Sequence, residues 1–201
     1  MKAPVRVHNE RCDDMATGGG RAPMRAKWSA AVEPTGLITS LSMDLAFDSG
    51  CTDGAGGGGD LGMAIQWSDN CYHHSNFSCT GTVFRSPRVG NTSCRAPGVI
   101  QSVALHDYIL EAAADHLGTT AEVLRELNMY RAGQTTPFGL HLGSAAVNWL
   151  VPALWARAKS EWRVAERRTA IAQFNAANAW RKRGLCMMPI KSSALMARAH
   201  G

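Results

Sequence analysis

At 201 residues, 45% of them hydrophobic and 18% charged, the chain can build one large domain or two small ones around a buried core. No stretch approaches the roughly 18 uninterrupted apolar residues that a membrane span requires, and residues 1–6 lack the apolar core of a secretory signal. These features point to a cytoplasmic protein with no membrane partner. The net charge of +5 is uneven: residues 151–201 carry ten Lys/Arg against two acids, Glu161 and Glu166. A basic segment can attract nucleic acid. No stacking aromatics or nucleic-acid motif accompany this one, so it reads as a solvated helix face or as a face that docks on an acidic surface.

In chain order, residues 1–49 read as strands with turns. Val5 and Val7, then Leu37, Ile38, Leu41, Met43, Leu45 and Phe47, supply the apolar positions, and Leu41 to Phe47 keeps period two. Pro34-Thr35-Gly36 is a turn signal between two paired strands. Residues 50–62 are dense in glycine; no Gly-Lys-Ser/Thr follows, which excludes a P-loop, and a flexible surface loop is expected. From Val99 the period becomes helical, and Gly118 is a plausible C-cap. Thr119-Thr120-Ala121-Glu122 has the spacing of a capping box, so a short helix should follow with Val123, Leu124, Leu127 and Met129 inward.

Thr135 to Gly139 reads as a loop, and two helices follow over residues 149–160 and 163–177. The cations of Trp180-Arg181-Lys182-Arg183-Gly184 suit a helix C-terminus. Leu185 to Ile190 then reads as a strand. The pattern is α+β, with strands in the N-terminal half followed by helices.

Six cysteines stand at 12, 51, 71, 79, 94 and 186. None are spaced C-x-x-C, so neither a zinc ribbon nor a local iron–sulfur pattern is present. They are expected to be buried small hydrophobes. His73-His74 with Cys79 invites a metal reading, but adjacent residues on an extended chain face opposite ways and no second ligand pair accompanies them.

Three motifs carry more information. Asp69-Asn70-Cys71-Tyr72, then Asn91-Thr92-Ser93-Cys94-Arg95-Ala96-Pro97-Gly98-Val99-Ile100-Gln101, form the first. Leu127-Asn128-Met129-Tyr130 through Phe138 form the second, and Phe174-Asn175-Ala176-Ala177-Asn178-Ala179-Trp180-Arg181-Lys182-Arg183-Gly184-Leu185-Cys186 the third. Weaker similarity begins at Pro4-Val5-Arg6 and includes Asp14-Met15 and Thr17-Gly18-Gly19-Gly20-Arg21. In order and spacing these resemble the molybdopterin-binding region of the xanthine dehydrogenase and aldehyde oxidase family. The resemblance implies that residues 1–191 are part of such a domain and that 192–201 are an unmatched tail.

The resemblance also implies a chemistry. In that family molybdenum on a pterin dithiolene hydroxylates an aldehyde or N-heterocycle with oxygen from water, and electrons leave through 2Fe-2S clusters and often FAD in other domains. The implied partners are such a substrate, the remaining enzyme domains and a second copy in a homodimer, with no nucleic acid. Arg95 and Gly98 are the implied cofactor-binding residues, near molybdenum without ligating it. Ala96 stands where the family has a glycine, and Pro97 where it has a phenylalanine that stacks on substrate.

Met63 stands where purine-oxidising members have an arginine and aldehyde-oxidising members an apolar residue. No catalytic residue is assigned, because the family's glutamate base falls in a segment that this sequence does not contain. The isolated chain is therefore expected to be inactive. It is also expected to be marginally stable, with Trp149, Trp155, Trp162 and Trp180 at risk of exposure. Rival readings are a noncatalytic interaction module, a basic-helix binder of nucleic acid, and a subunit of a split enzyme.

Overall fold

A computed structural model describes residues 3–52, 55–144 and 148–192, without the side chains of residues 15, 17 and 55–57. Where paired strands were expected at the start, residues 4–10 take no regular structure and leave Val5 and Val7 exposed. A short helix, α1 (Arg11–Thr17), follows, and its first turn holds Asp13 and Asp14 against the positive helix end. Strands β1 (Met24–Val32) and β2 (Ile38–Asp48) then form the expected hairpin. Gly36 takes the left-handed φ of +93° that its turn requires. The buried side chains of Leu41, Met43, Leu45 and Phe47 confirm the period-two reading.

The glycine-dense segment is not a loop but a helix, α2 (Ala55–Gln66). Each glycine costs about 1 kcal/mol in a helix, and tertiary context overrides that cost here. The next strand, β3 (Asn76–Phe84), lies beside β2 in a three-stranded sheet of order β1-β2-β3. Contacts from Asn76 to Thr39 and from Ser49 to Phe84 advance in the same direction, as in a parallel pair. Parallel neighbours need a crossover connection, commonly a helix; α2 supplies it and buries Asp60 and Ala64.

Helices α3 (Val99–Leu117), α4 (Ala121–Asn128), α5 (Val151–Glu161) and α6 (Val164–Ala177) complete the α+β order. Gly118 ends α3 at φ +66°, as expected. The capping box does not form: Thr120, not Thr119, is the N-cap of α4, and it makes no side-chain cap bond. On α4, Leu124 is buried and Met129 follows it inward, whereas Val123 and Leu127 are exposed and Arg125 and Asn128 take the inner face. Residues 185–190 take no regular structure and pair with no strand among the described residues, which corrects the expected strand.

The chain divides into two compact units. The first comprises Met1–Trp28, Met43–Ser68 and Cys79–Ser102; its core includes Met43, Leu45, Phe47, Ala64 and Trp67. The second comprises Ser29–Ser42, Asp69–Ser78 and Val103–Gly201. Its core includes Leu41, Tyr72, Ile109, Leu110, Leu124 and Tyr130, with a satellite cluster of Met129, Trp155, Val164 and Met187.

Of the tryptophans expected to be at risk, Trp155 is buried and Trp149 half-buried, while Trp162 and Trp180 are exposed. The cysteines also differ from expectation: Cys71 is buried, but Cys12, Cys51 and Cys186 are exposed. No helix among the described residues is long and apolar enough to cross a membrane.

Candidate functional site

In the first unit, the chain leaves β3 and runs through residues 91–98 into α3. Asn91 Nδ2 donates to the Asp48 carbonyl at 2.8 Å, and Ser93 Oγ donates to Asp60 Oδ1 at 2.6 Å. The Arg21 guanidinium grips the loop with two donors, one to the Arg95 carbonyl at 2.6 Å and one to the Ala96 carbonyl at 3.1 Å. Ala96 has φ +52° and Gly98 φ +68°. A side chain at Gly98 would overlap the Asp60 carbonyl and come within 2.7 Å of the Ala64 nitrogen, so only glycine fits against α2.

The residues singled out from sequence are brought together in part. Arg95 is exposed and its guanidinium has no partner among the described residues. Pro97 is half-buried and Gly98 buried. Met63 is half-buried on α2, the helix whose residues Asp60 and Ala64 back Gly98. Sequence reasoning missed the roles of Arg21 and Asp60. Arg21 stood in the weaker Thr17–Arg21 similarity, and Asp60 was an acid embedded among glycines.

The most recognisable motifs prove to be clamps within the second unit. Asp69 is fully buried, accepts from Lys191 Nζ at 2.5 Å and Tyr130 Oη at 2.9 Å, and leaves Oδ1 without a donor. Burial raises the Asp69 carboxyl above its usual range, opposed by Lys191 and Tyr130. Asn70, at φ +45°, donates to the Pro189 carbonyl and accepts from the Lys191 N–H.

Tyr72 bridges to Met129, and burial pushes the Cys71 thiol up to about 12. Asn128 closes the hairpin turn, donating to the Gly36 carbonyl and accepting from the Ile38 N–H, both at 2.9 Å. In the third motif, Asn175 brackets Arg183 through the latter's carbonyl and N–H, while the Arg183 guanidinium lies 3.8 Å over the Phe174 ring.

His74 turns away from the metal reading to pair with His106, Nε2 to Nε2 at 3.0 Å, both buried. Burial and the neighbouring His106 lower the His74 pKa to about 3, against the Ile38 carbonyl that favours the charged form. Asp107, Glu111 and Cys186 also lie close enough to share an ion, but both carboxylates are bonded to Arg125.

The molybdopterin cofactor-binding domain family matches residues 1–129, more than half of the chain. The chain belongs to that family. It is similar to the xanthine dehydrogenase of Emericella nidulans, 32% identical over 191 residues, which covers 95% of this chain and 14% of the relative. It is also similar to a nicotinate hydroxylase of the same organism, 30% identical over 203 residues, covering 98% of this chain and 14% of the relative.

Among solved structures, the aldehyde oxidoreductase of Desulfovibrio gigas shares the fold at a TM-score of 0.64 and 22% identity, over 75% of this chain and 16% of that one. The chain thus spans about a seventh of the curated relatives' length.

A molybdenum–pterin group is anionic, and the chemistry of the Arg95 loop suits a group of that charge. The Arg95 guanidinium and the positive end of α3 suit anionic oxygens or sulfurs. Pro97 offers no N–H, and the Val99 and Ser102 N–H groups are already bonded to the Pro97 and Gly98 carbonyls at 2.7 and 3.1 Å, so an anion at this end of α3 would meet the Arg95 side chain and the Ile100 and Gln101 amides.

Proposed function

We propose that the chain forms one wall of the cofactor site of a molybdenum hydroxylase-type oxidoreductase, with Arg95 and Gly98 at the cofactor and Met63 and Pro97 on the substrate side. The observation that carries this reading is the Arg95 loop, which presents an exposed guanidinium, with no partner among the described residues, just ahead of a 19-residue helix. When bound, the molybdenum–pterin group supplies the redox chemistry that places water-derived oxygen on an aldehyde or N-heterocycle.

The chain's own part is to bind and orient. Arg95 offers charge-assisted donors to an anionic edge, and Gly98 lets the loop sit against α2. Met63 offers a soft thioether wall where a charged fork would select a purine oxygen, which favours aldehydes. Asp60, the carboxylate beneath the loop, is fully enclosed and bonded to Ser93, so it is no base for a substrate. We therefore assign no catalytic residue. A general base, 2Fe-2S clusters and FAD would come from other parts of such an enzyme, and the chain alone would be inactive.

The basic helices favour a protein-facing role over nucleic-acid binding, because many of their cations are already paired. Arg157 meets Glu161, Lys159 meets Glu122 and Glu126, Arg163 meets Glu166, and Arg168 meets Glu122. Elemental analysis of the chain purified from cells that make the cofactor tests the reading. Molybdenum far below one atom per chain is expected, and near-stoichiometric metal would show a complete site.

A further inference from the structure

We infer that Arg21 is a positioning residue for the Arg95 loop, an inference that rests on the reading of that loop as the cofactor wall. The loop needs help to hold its shape. Ala96 is in the left-handed region that L residues other than glycine enter at a cost, and Pro97 cannot donate a backbone hydrogen bond. The main-chain groups of residues 95–97 therefore have few ways to anchor themselves. Arg21 supplies the anchor, because its planar fork reaches two consecutive carbonyls at once, Arg95 at 2.6 Å and Ala96 at 3.1 Å.

A guanidinium presents several donors in fixed directions, which a lysine ammonium on a flexible stem does not. The two carbonyls belong to successive peptide planes that meet at the Ala96 Cα, so gripping both fixes the orientation of the two planes and holds Ala96 in its left-handed conformation. That orientation sets where the Arg95 side chain leaves the backbone. From the other side, Ser93 on Asp60 and Gly98 on the Asp60 carbonyl pin the ends of the same loop to α2. Arg21 thus holds the middle of a segment whose ends are already fixed, and its loss should free the middle alone.

The Arg95–Ala96 bond is itself a trypsin site, and its carbonyl is one that Arg21 holds. Cleavage of a folded chain requires local opening, so the cutting rate at that bond reports the clamp directly. Limited trypsin digestion of the full chain, followed by mass spectrometry, should show cleavage after Arg95 rising on the order of tenfold in Arg21→Ala, as expected for lost charge-assisted hydrogen bonds. Arg21→Lys, able to reach one carbonyl, should fall between that variant and the parent.

Cleavage after Arg88, whose carbonyl is held instead by the Cys51 N–H at 2.9 Å, should not change. An unchanged rate after Arg95, or an equal rise after Arg88, would overturn the inference. No cofactor enters the assay, so a chain that lacks molybdenum leaves the clamp standing, and an unclamped loop leaves the cofactor reading standing.

Discussion

Lys191 Nζ lies 2.5 Å from Asp69 Oδ2, with both side chains buried. This pair ties the C-terminal segment around residues 185–191 to the Asp69-Asn70-Cys71-Tyr72 motif. Removing one partner strands the other, and an unpaired buried charge costs about 3–5 kcal/mol. Lys191→Met should therefore lower urea-unfolding stability by an amount of that order. Adding Asp69→Asn should recover part of the loss, because the asparagine carries no charge to strand. A Lys191→Met chain as stable as the parent would show that the ion pair does not hold the segment, leaving that to Asn70 and the packing of Met187.

The His74–His106 pair makes stability acid-sensitive. The His74 pKa falls from 6.5 to about 3 on folding, so between those values the unfolded chain binds the proton and the folded chain does not. Stability is full above pH 6.5 and is lost as the pH drops towards 3, at a limiting slope of about 1.4 kcal/mol per pH unit for one proton. Asp69, raised by burial, contributes in the opposite direction over its own range. Denaturant unfolding at a series of pH values should show a shallower acid slope in His74→Gln than in the parent. Equal slopes would remove His74 as the source.

The Arg95 loop yields a paired prediction. Ala96→Gly removes the left-handed penalty of roughly 1–2 kcal/mol but frees the unfolded chain by about half that. A small net gain in stability, under about 1 kcal/mol, is expected. Gly98→Ala adds a Cβ into the Asp60 carbonyl at φ +68° and should destabilise the chain clearly. Thermal melts of both variants check the sign of each change, and a stabilising Gly98→Ala would contradict the loop geometry.

Where side-chain periodicity matched burial, the fold was legible. Leu41 to Phe47 alternates because one face of β2 is covered, and Val99 to Leu117 repeats because α3 packs along one stripe. Periodicity could not foresee α2, because its glycines deny a helical signal and the parallel β2–β3 pairing that demands a crossover is nonlocal. Nor could it foresee Arg125 and Asn128 on the inner face of α4, where the guanidinium meets Asp107 and the amide meets the hairpin turn.

The motif singled out Arg95 and Gly98; the structure leaves Arg95 exposed and packs Gly98 against α2. The roles of Arg21 and Asp60 were not legible, because they act on residues more than thirty positions away through the folded backbone.

The most direct test of the central claim, that the Arg95 loop is a cofactor wall, is the molybdenum content of a chimaera. In it, this chain replaces the matching 191-residue stretch of the Emericella nidulans xanthine dehydrogenase, so that the rest of that enzyme surrounds the loop. Measurable molybdenum per chain is expected in the chimaera, with a several-fold loss on Arg95→Ala and an unchanged thermal melt, because Arg95 is exposed and has no partner among the described residues. Molybdenum retained equally with and without Arg95 would contradict that claim.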